Sequence, residues 1–173
     1  VLIYIPTKEM NKLNKKEIAI MGMGYVGLTL SVVLAKNGFK VYGIEIKKEI
    51  VENLKKGNPH FHEKRLKPLL RQQQKLGNLK IHESLPNKEI GIYIICVGTP
   101  LEKESRTPDI DYIRNDVVNV ANHMNQNSLI ILRSTVPVGT SRNIVFPLLE
   151  KHSGLKAGKD FSFAFAPERT IEG

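Results

Sequence analysis

Cysteine is all but missing: Cys96 stands alone among 173 residues. A lone cysteine excludes an internal disulfide framework and fits a reducing, cytoplasmic setting. No apolar run approaches the roughly 18 residues of a membrane-crossing helix. The opening "VLIYIPTKEMNKLNKKE" puts a short apolar patch before its lysines, which is the wrong order and too short for a secretory signal. Residues 1–16 are therefore expected to form a flexible leader, and 17–173 a single domain, since this length buries one full core. Internal repeats and low-complexity segments are absent as well. His60, His62 and His82 have no cysteine or carboxylate cluster beside them at ligand spacing, so no metal site is expected.

Acidic residues are outnumbered, 17 against 26 Lys and Arg, for a net charge of +9. The surplus concentrates between Lys47 and Lys80, a segment whose pattern is that of surface helices. A solvated charged face is the favoured reading. A non-catalytic module for nucleic acid or another polyanion is the alternative, weakened because Phe61 is the segment's only aromatic residue able to stack a base.

What is present is an alternation of strands and helices. "IAIM" (18–21) is a short apolar run bounded by glycine, as expected of a strand buried on both faces. Val26, Leu30, Val33 and Leu34 then recur at helical spacing, with Gly38 as the stop. "FKVYGIEI" (39–46), "LKIH" (79–82), "IGIYIICVG" (90–98), "SLIILRSTV" (128–136) and "FSFAFA" (161–166) read as further strands. Between them lie a helix carrying Ile50, Val51 and Leu54, and a basic helix at 62–76 that Pro68 either kinks or restarts. Another helix runs over 111–124 with Ile113, Val117, Val120 and Ala121 inward, and one over 140–152 bends at Pro147. Parallel strands need long crossovers that helices supply, so the fold class is α/β: a doubly wound, Rossmann-like sheet of about six parallel strands. The expected order is 3-2-1-4-5-6, with the ligand crevice where the order reverses.

The sequence "GMGYVG" occupies that reversal. A glycine-rich turn is weak evidence alone, yet this one follows a strand, opens a helix, and is followed by Glu45 at the end of the next strand. Gly22 permits the tight turn, Gly24 lets the backbone approach a pyrophosphate, and Gly27 lets the helix pack on the sheet. Helix-start amides would face the anion. Glu45 would accept hydrogen bonds from the adenosine ribose and repel a 2′-phosphate, favouring NAD over NADP. No Gly-Lys-Ser/Thr follows, which disfavours a Walker loop.

Five motifs in order, "GMGYVGL" (22–28), "GNPHFHEKRL" (57–66), "VGTP" (97–100), "STVPVGT" (134–140) and "APERTIEG" (166–173), carry a family resemblance. The chain resembles the NAD-binding domain of the UDP-sugar 6-dehydrogenases, the UDP-glucose and UDP-N-acetylmannosamine enzymes. The resemblance implies oxidation of a UDP-sugar's primary alcohol to a carboxylate by two hydride transfers to NAD, through a cysteine-bound thioester. It further implies backbone contacts to the pyrophosphate from Tyr25 and Val26, and cofactor contacts from Val97, Gly98, Thr99 and Ser134. Thr135 would lie near the nicotinamide and the reactive water, and Glu168 would handle protons, with Glu172 beside it. "APER" is similar to the N-acetylhexosamine branch. Glu45 where Asp is usual, and Ile50 where a Lys is common, are departures.

In that family the nucleophilic cysteine and a catalytic lysine lie downstream of the last motif. The central and C-terminal domains are therefore expected to be absent, and this chain not to complete the reaction alone. Cys96, inside a central strand, is expected to be a buried, inert thiol. The full-length enzyme would be a homodimer and this chain a monomer or weak dimer, with a UDP-sugar as partner and neither nucleic acid nor membrane. A different NAD-dependent dehydrogenase, of the hydroxyacid type, remains the alternative on the same fold.

Overall fold

In the computed structural model, residues 17–99 and 109–168 are described. The expected leader, most of the 99–109 loop and Glu172 lie outside them.

Six strands of four residues each build one parallel sheet: β1 (Ile18–Met21), β2 (Val41–Ile44), β3 (Leu79–His82), β4 (Ile92–Ile95), β5 (Leu129–Leu132) and β6 (Ser162–Phe165). Their order is β3-β2-β1-β4-β5-β6, the one the alternation predicts. β1 pairs with β2 from Ile18↔Val41 to Met21↔Ile44, and with β4 from Ile18↔Ile92 to Met21↔Ile95. The chain runs outward from β1 in both directions, so the loops after β1 and β4 diverge and leave a crevice above their carboxyl ends.

Successive side chains of a strand point to opposite faces. Ile18, Ile20, Ile92 and Ile94 face a core covered by α1 (Tyr25–Lys36), α2 (Lys48–Lys55) and α3 (Leu66–Lys75). Ala19, Met21, Tyr93 and Ile95 face the other core, under α4 (Asp111–Ala121) and α5 (Phe146–Ser153). With both faces covered, the central strands need no polar alternation, and β1, β2 and β4 are buried throughout.

The helical spacing of Val26, Leu30, Val33 and Leu34 marks the inward face of α1 only in part, with Val26, Leu30 and Leu34 packed at the margin of the core. Leu28, Ser31, Val32 and Ala35 of α1 face the sheet, whereas Val33 is 53% exposed. The helix is apolar nearly all round, so hydrophobic spacing does not select a face. Small residues do: Gly27, Ser31 and Ala35 let the helix axis approach the strands. Pro68 restarts rather than kinks, because α3 begins at Leu66 after Arg65 in the left-handed region (φ 67°), and a first-turn proline forfeits no helical bond. A π-helical turn, Ser141–Val145, leads into α5, and Pro147 sits in the first turn there. Lys48, Lys55, Lys56, Lys67 and Lys75 are exposed while Val51, Leu54 and Leu70 are buried, the arrangement of a solvated basic face.

Candidate functional site

The turn between β1 and α1 assigns its three glycines different tasks. Gly22 has φ +89°, which side chains of L-residues rarely adopt, and a Cβ there would press on Val97 and on the Cys96 carbonyl. At Gly27 an added Cβ would overlap the Gly22 carbonyl oxygen, so the missing side chain is what seats the helix against the turn. Gly24 differs: nothing lies within 4 Å of where its Cβ would be. Packing does not require a glycine at that position, and the cleared space is what a pyrophosphate approaching the backbone needs.

Gly24 is the N-cap of α1 and offers no side chain to the helix end. The first helical bond is Leu28 N–H to the Gly24 carbonyl (2.9 Å), so the amides of the first turn point out of the helix towards the crevice. Tyr25 and Val26 contribute that turn. Their side chains serve the wall: the Tyr25 hydroxyl donates to Glu63 (2.9 Å), its ring tilts against Phe61 with centroids 5.2 Å apart, and Val26 packs on the core.

Glu45 follows β2 directly and turns back over the glycines. One carboxylate oxygen accepts the Met23 N–H (3.1 Å) and the other accepts the Lys47 N–H (3.0 Å). Each oxygen keeps a second lone pair, enough to accept a ribose hydroxyl. Beside it, burial lowers the pKa of His60, with Glu45 pulling upward and Lys47 adding to the fall.

The opposite wall comes from the ends of β4 and β5. Ser134, buried, donates to the Val97 carbonyl (2.7 Å), and the Thr99 hydroxyl donates to the Thr135 carbonyl (2.9 Å). These two bonds staple the segment holding Val97, Gly98 and Thr99 to the one holding Ser134 and Thr135. Gly98 is exposed, with open space where a side chain would be, and Thr135 is exposed beside it. Glu168, past β6, forms an ion pair with Arg133, whose guanidinium also reaches the Ala166 carbonyl (3.3 Å). With Tyr25, Val26, Thr29, Glu63 and Leu66, Glu168 lines a cavity of about 300 Å³. Cys96 lies beneath the turn, its thiol pushed up to about 12 by burial, with Arg133 opposing and Glu168 adding to the rise. The described residues contain no group of three metal ligands, and no described helix is long and apolar enough to cross a membrane.

The structure thus gathers Gly22, Gly24, Tyr25, Val26, Gly27, Glu45, Val97, Gly98, Thr99, Ser134 and Thr135 around one crevice, with Glu168 on its flank. Sequence reasoning missed Glu63 and Arg133. Arg133 carried a legible signal, a charge ending the apolar run of β5 immediately before "STVPVGT". Glu63 stood inside "GNPHFHEKRL", but its partner Tyr25 is 38 positions away.

A family model, described as the NAD binding domain of the UDP-glucose/GDP-mannose dehydrogenase family, matches residues 16–173. The UDP-N-acetyl-D-mannosamine dehydrogenase of Pyrococcus horikoshii is 36% identical over 157 residues, covering 90% of this chain and 37% of that protein. A solved UDP-D-ManNAc dehydrogenase from the same organism superposes with a TM-score of 0.85 at 35% identity, over 91% of this chain and 37% of that one. A ternary complex of GDP-mannose dehydrogenase from Pseudomonas aeruginosa gives 0.85 at 31%, over 90% and 37%. This chain therefore spans little more than a third of the length of these relatives. The cleared space at Gly24, the outward amides and the placed carboxylate agree with the match over the whole domain: the chain belongs to the UDP-glucose/GDP-mannose dehydrogenase family and forms its NAD-binding domain.

Proposed function

We propose that this chain holds NAD for a nucleotide-sugar 6-dehydrogenase, one that oxidises a UDP-hexose to its uronic acid in two steps. The observation that carries the reading is the division of labour among the glycines: two are demanded by the fold, and Gly24 is explained by a ligand alone. Bound NAD supplies the hydride acceptor. Everything else asked of this chain is positional. The amides of Val26 and its neighbours neutralise the pyrophosphate, Glu45 orients the adenosine ribose, and the Thr99–Thr135 staple fixes the wall that meets the nicotinamide half.

Glu168 takes the proton-handling role, held by Arg133 at the edge of the crevice, with Glu172, four residues on, as a second candidate. Cys96 is not the nucleophile: it sits just past the end of β4 rather than inside the strand, and a buried thiol pushed up to about 12 offers almost no thiolate at neutral pH. The covalent step is left to residues outside this chain. The substrate we favour is a UDP-N-acetylated mannosamine or glucosamine, supported by "APERTIEG" and by the names of the mannosamine relatives. We further infer a cytoplasmic enzyme that pairs as a homodimer when full-length.

Calorimetric titration tests the cofactor reading. NAD should bind with NADP at least about tenfold weaker, the size of one unfavourable charged contact. Equal affinity for both, or none for either, would refute it.

A further inference from the structure

Arg133 and Glu168 hold one another at two levels. The main-chain carbonyl of Arg133 accepts the Glu168 N–H (3.2 Å), and the guanidinium pairs with the Glu168 carboxylate. The same guanidinium reaches the Ala166 carbonyl (3.3 Å), while the Ala166 N–H donates to the Leu132 carbonyl (3.0 Å). Residues 166–168 are thereby tied across the end of β5. Both charged side chains are largely covered, Arg133 26% and Glu168 20% exposed. The Arg133 Nε is buried and has no partner among the described residues. An orphaned buried donor costs stability, so arginine is a poor choice if this segment needed only tying down. What arginine supplies is a planar fork that meets a carbonyl and a carboxylate at once.

Resting on the role given to Glu168 above, we propose that Arg133 is its positioning residue, holding the carboxylate ionised and aimed into the cavity beside α1. Glu168 lines that cavity, and Arg133 grips it from outside the lining. An adjacent opposite charge favours the ionised form of a carboxyl, and partial removal from water strengthens the attraction. The other charged and titratable groups facing Glu168 are Tyr25, Glu63 and Lys64 along the cavity, and Cys96, whose burial-raised thiol is acted on by both members of the pair. Glu63 opposes the ionisation of Glu168 and Lys64 favours it, so these two offset, and Arg133 makes the direct ion pair. The consequence is a direction for the proton. An ionised Glu168 accepts one, where a protonated Glu168 would donate.

Carboxyl 13C NMR titration of the chain tests this, with the Glu168 signal identified by its loss in Glu168→Gln. Arg133→Met should raise the Glu168 midpoint by about one pH unit or more, while Arg133→Lys, which keeps the charge, should stay closer to the wild type than to Arg133→Met. A merely structural tie would cost both variants stability and leave the midpoint where it was. An unchanged midpoint in Arg133→Met therefore overturns the proposal. Should that variant fail to fold, the wild type decides alone: a midpoint below the about 4.3 of an unperturbed glutamate supports the proposal, and one at or above it overturns it. NAD titration of the same wild-type sample keeps the two readings apart. Absence of binding there would overturn the cofactor reading and leave the Arg133–Glu168 result standing.

Discussion

The two ends of the sheet carry comparable chemistry arranged to opposite effect. At the amino end, Glu17 is ion-paired with Lys88, and the Tyr42 hydroxyl donates to Glu17 (3.2 Å) while accepting from Lys88 (2.9 Å). Glu17, Tyr42 and Lys88 answer one another. That rim also borders the larger cavity, about 530 Å³, lined by Glu17, Lys88, Gly91 and Gln126. The cavity of about 300 Å³ beside α1 is smaller, and at the carboxyl end Gly24 leaves space while Glu45 accepts from the main chain alone. Volume does not separate the two ends. Polar groups left for a ligand to satisfy do.

The largest effects should come from the glycines, and they should split. Gly27→Ala is expected to cost about 2–4 kcal/mol of stability, because the new methyl group meets a backbone oxygen that cannot move without the turn. Gly24→Val should weaken NAD binding by about a hundredfold or more, since the side chain fills the pyrophosphate's place, with a loss of stability under about 1 kcal/mol. Thermal melts and NAD titrations on the two variants check this. A Gly24→Val protein that binds NAD normally would erase the contrast between the ends.

Next in size is Glu45→Gln. It removes the charge that excludes a 2′-phosphate at the cost of one of the two main-chain N–H bonds, since a carboxamide has a single acceptor oxygen, so NADP should approach NAD in affinity, a gain of about tenfold. Asp116 should then show itself in pH dependence. A carboxyl whose folded pKa is raised contributes most below its unfolded value near 4, and stability falls as pH rises towards about 7. Asp116→Asn should thus melt higher than the wild type at pH 8, by about 2 kcal/mol, and level with it at pH 4. The opposite end should respond least. Lys88→Met should leave the NAD affinity unchanged, and whatever stability the Lys88 contacts add is present up to pH 10.5 and lost above it, because Glu17 and then Tyr42 raise the lysine's pKa.

Much of this was legible in the residues themselves. Strand order followed from alternation, because parallel strands allow few ways to wind. The tight turn at Gly22 and the close seat of the helix at Gly27 followed from spacing, and the inward face of α4 from Ile113, Val117, Val120 and Ala121, a stripe set against polar neighbours. The face of α1 was not legible, since a helix apolar nearly all round carries no amphipathic signal. Nor were the pairs Tyr25–Glu63 and Arg133–Glu168, which join positions far apart in sequence that only the folded sheet brings together.

Cys96 gives the pocket a built-in clock. Wedged under Gly22 and Gly27, and too weakly acidic to react in place, the chain's one thiol can be alkylated only when the turn above it lifts. The labelling rate therefore times the breathing of the cradle, and saturating NAD should slow it.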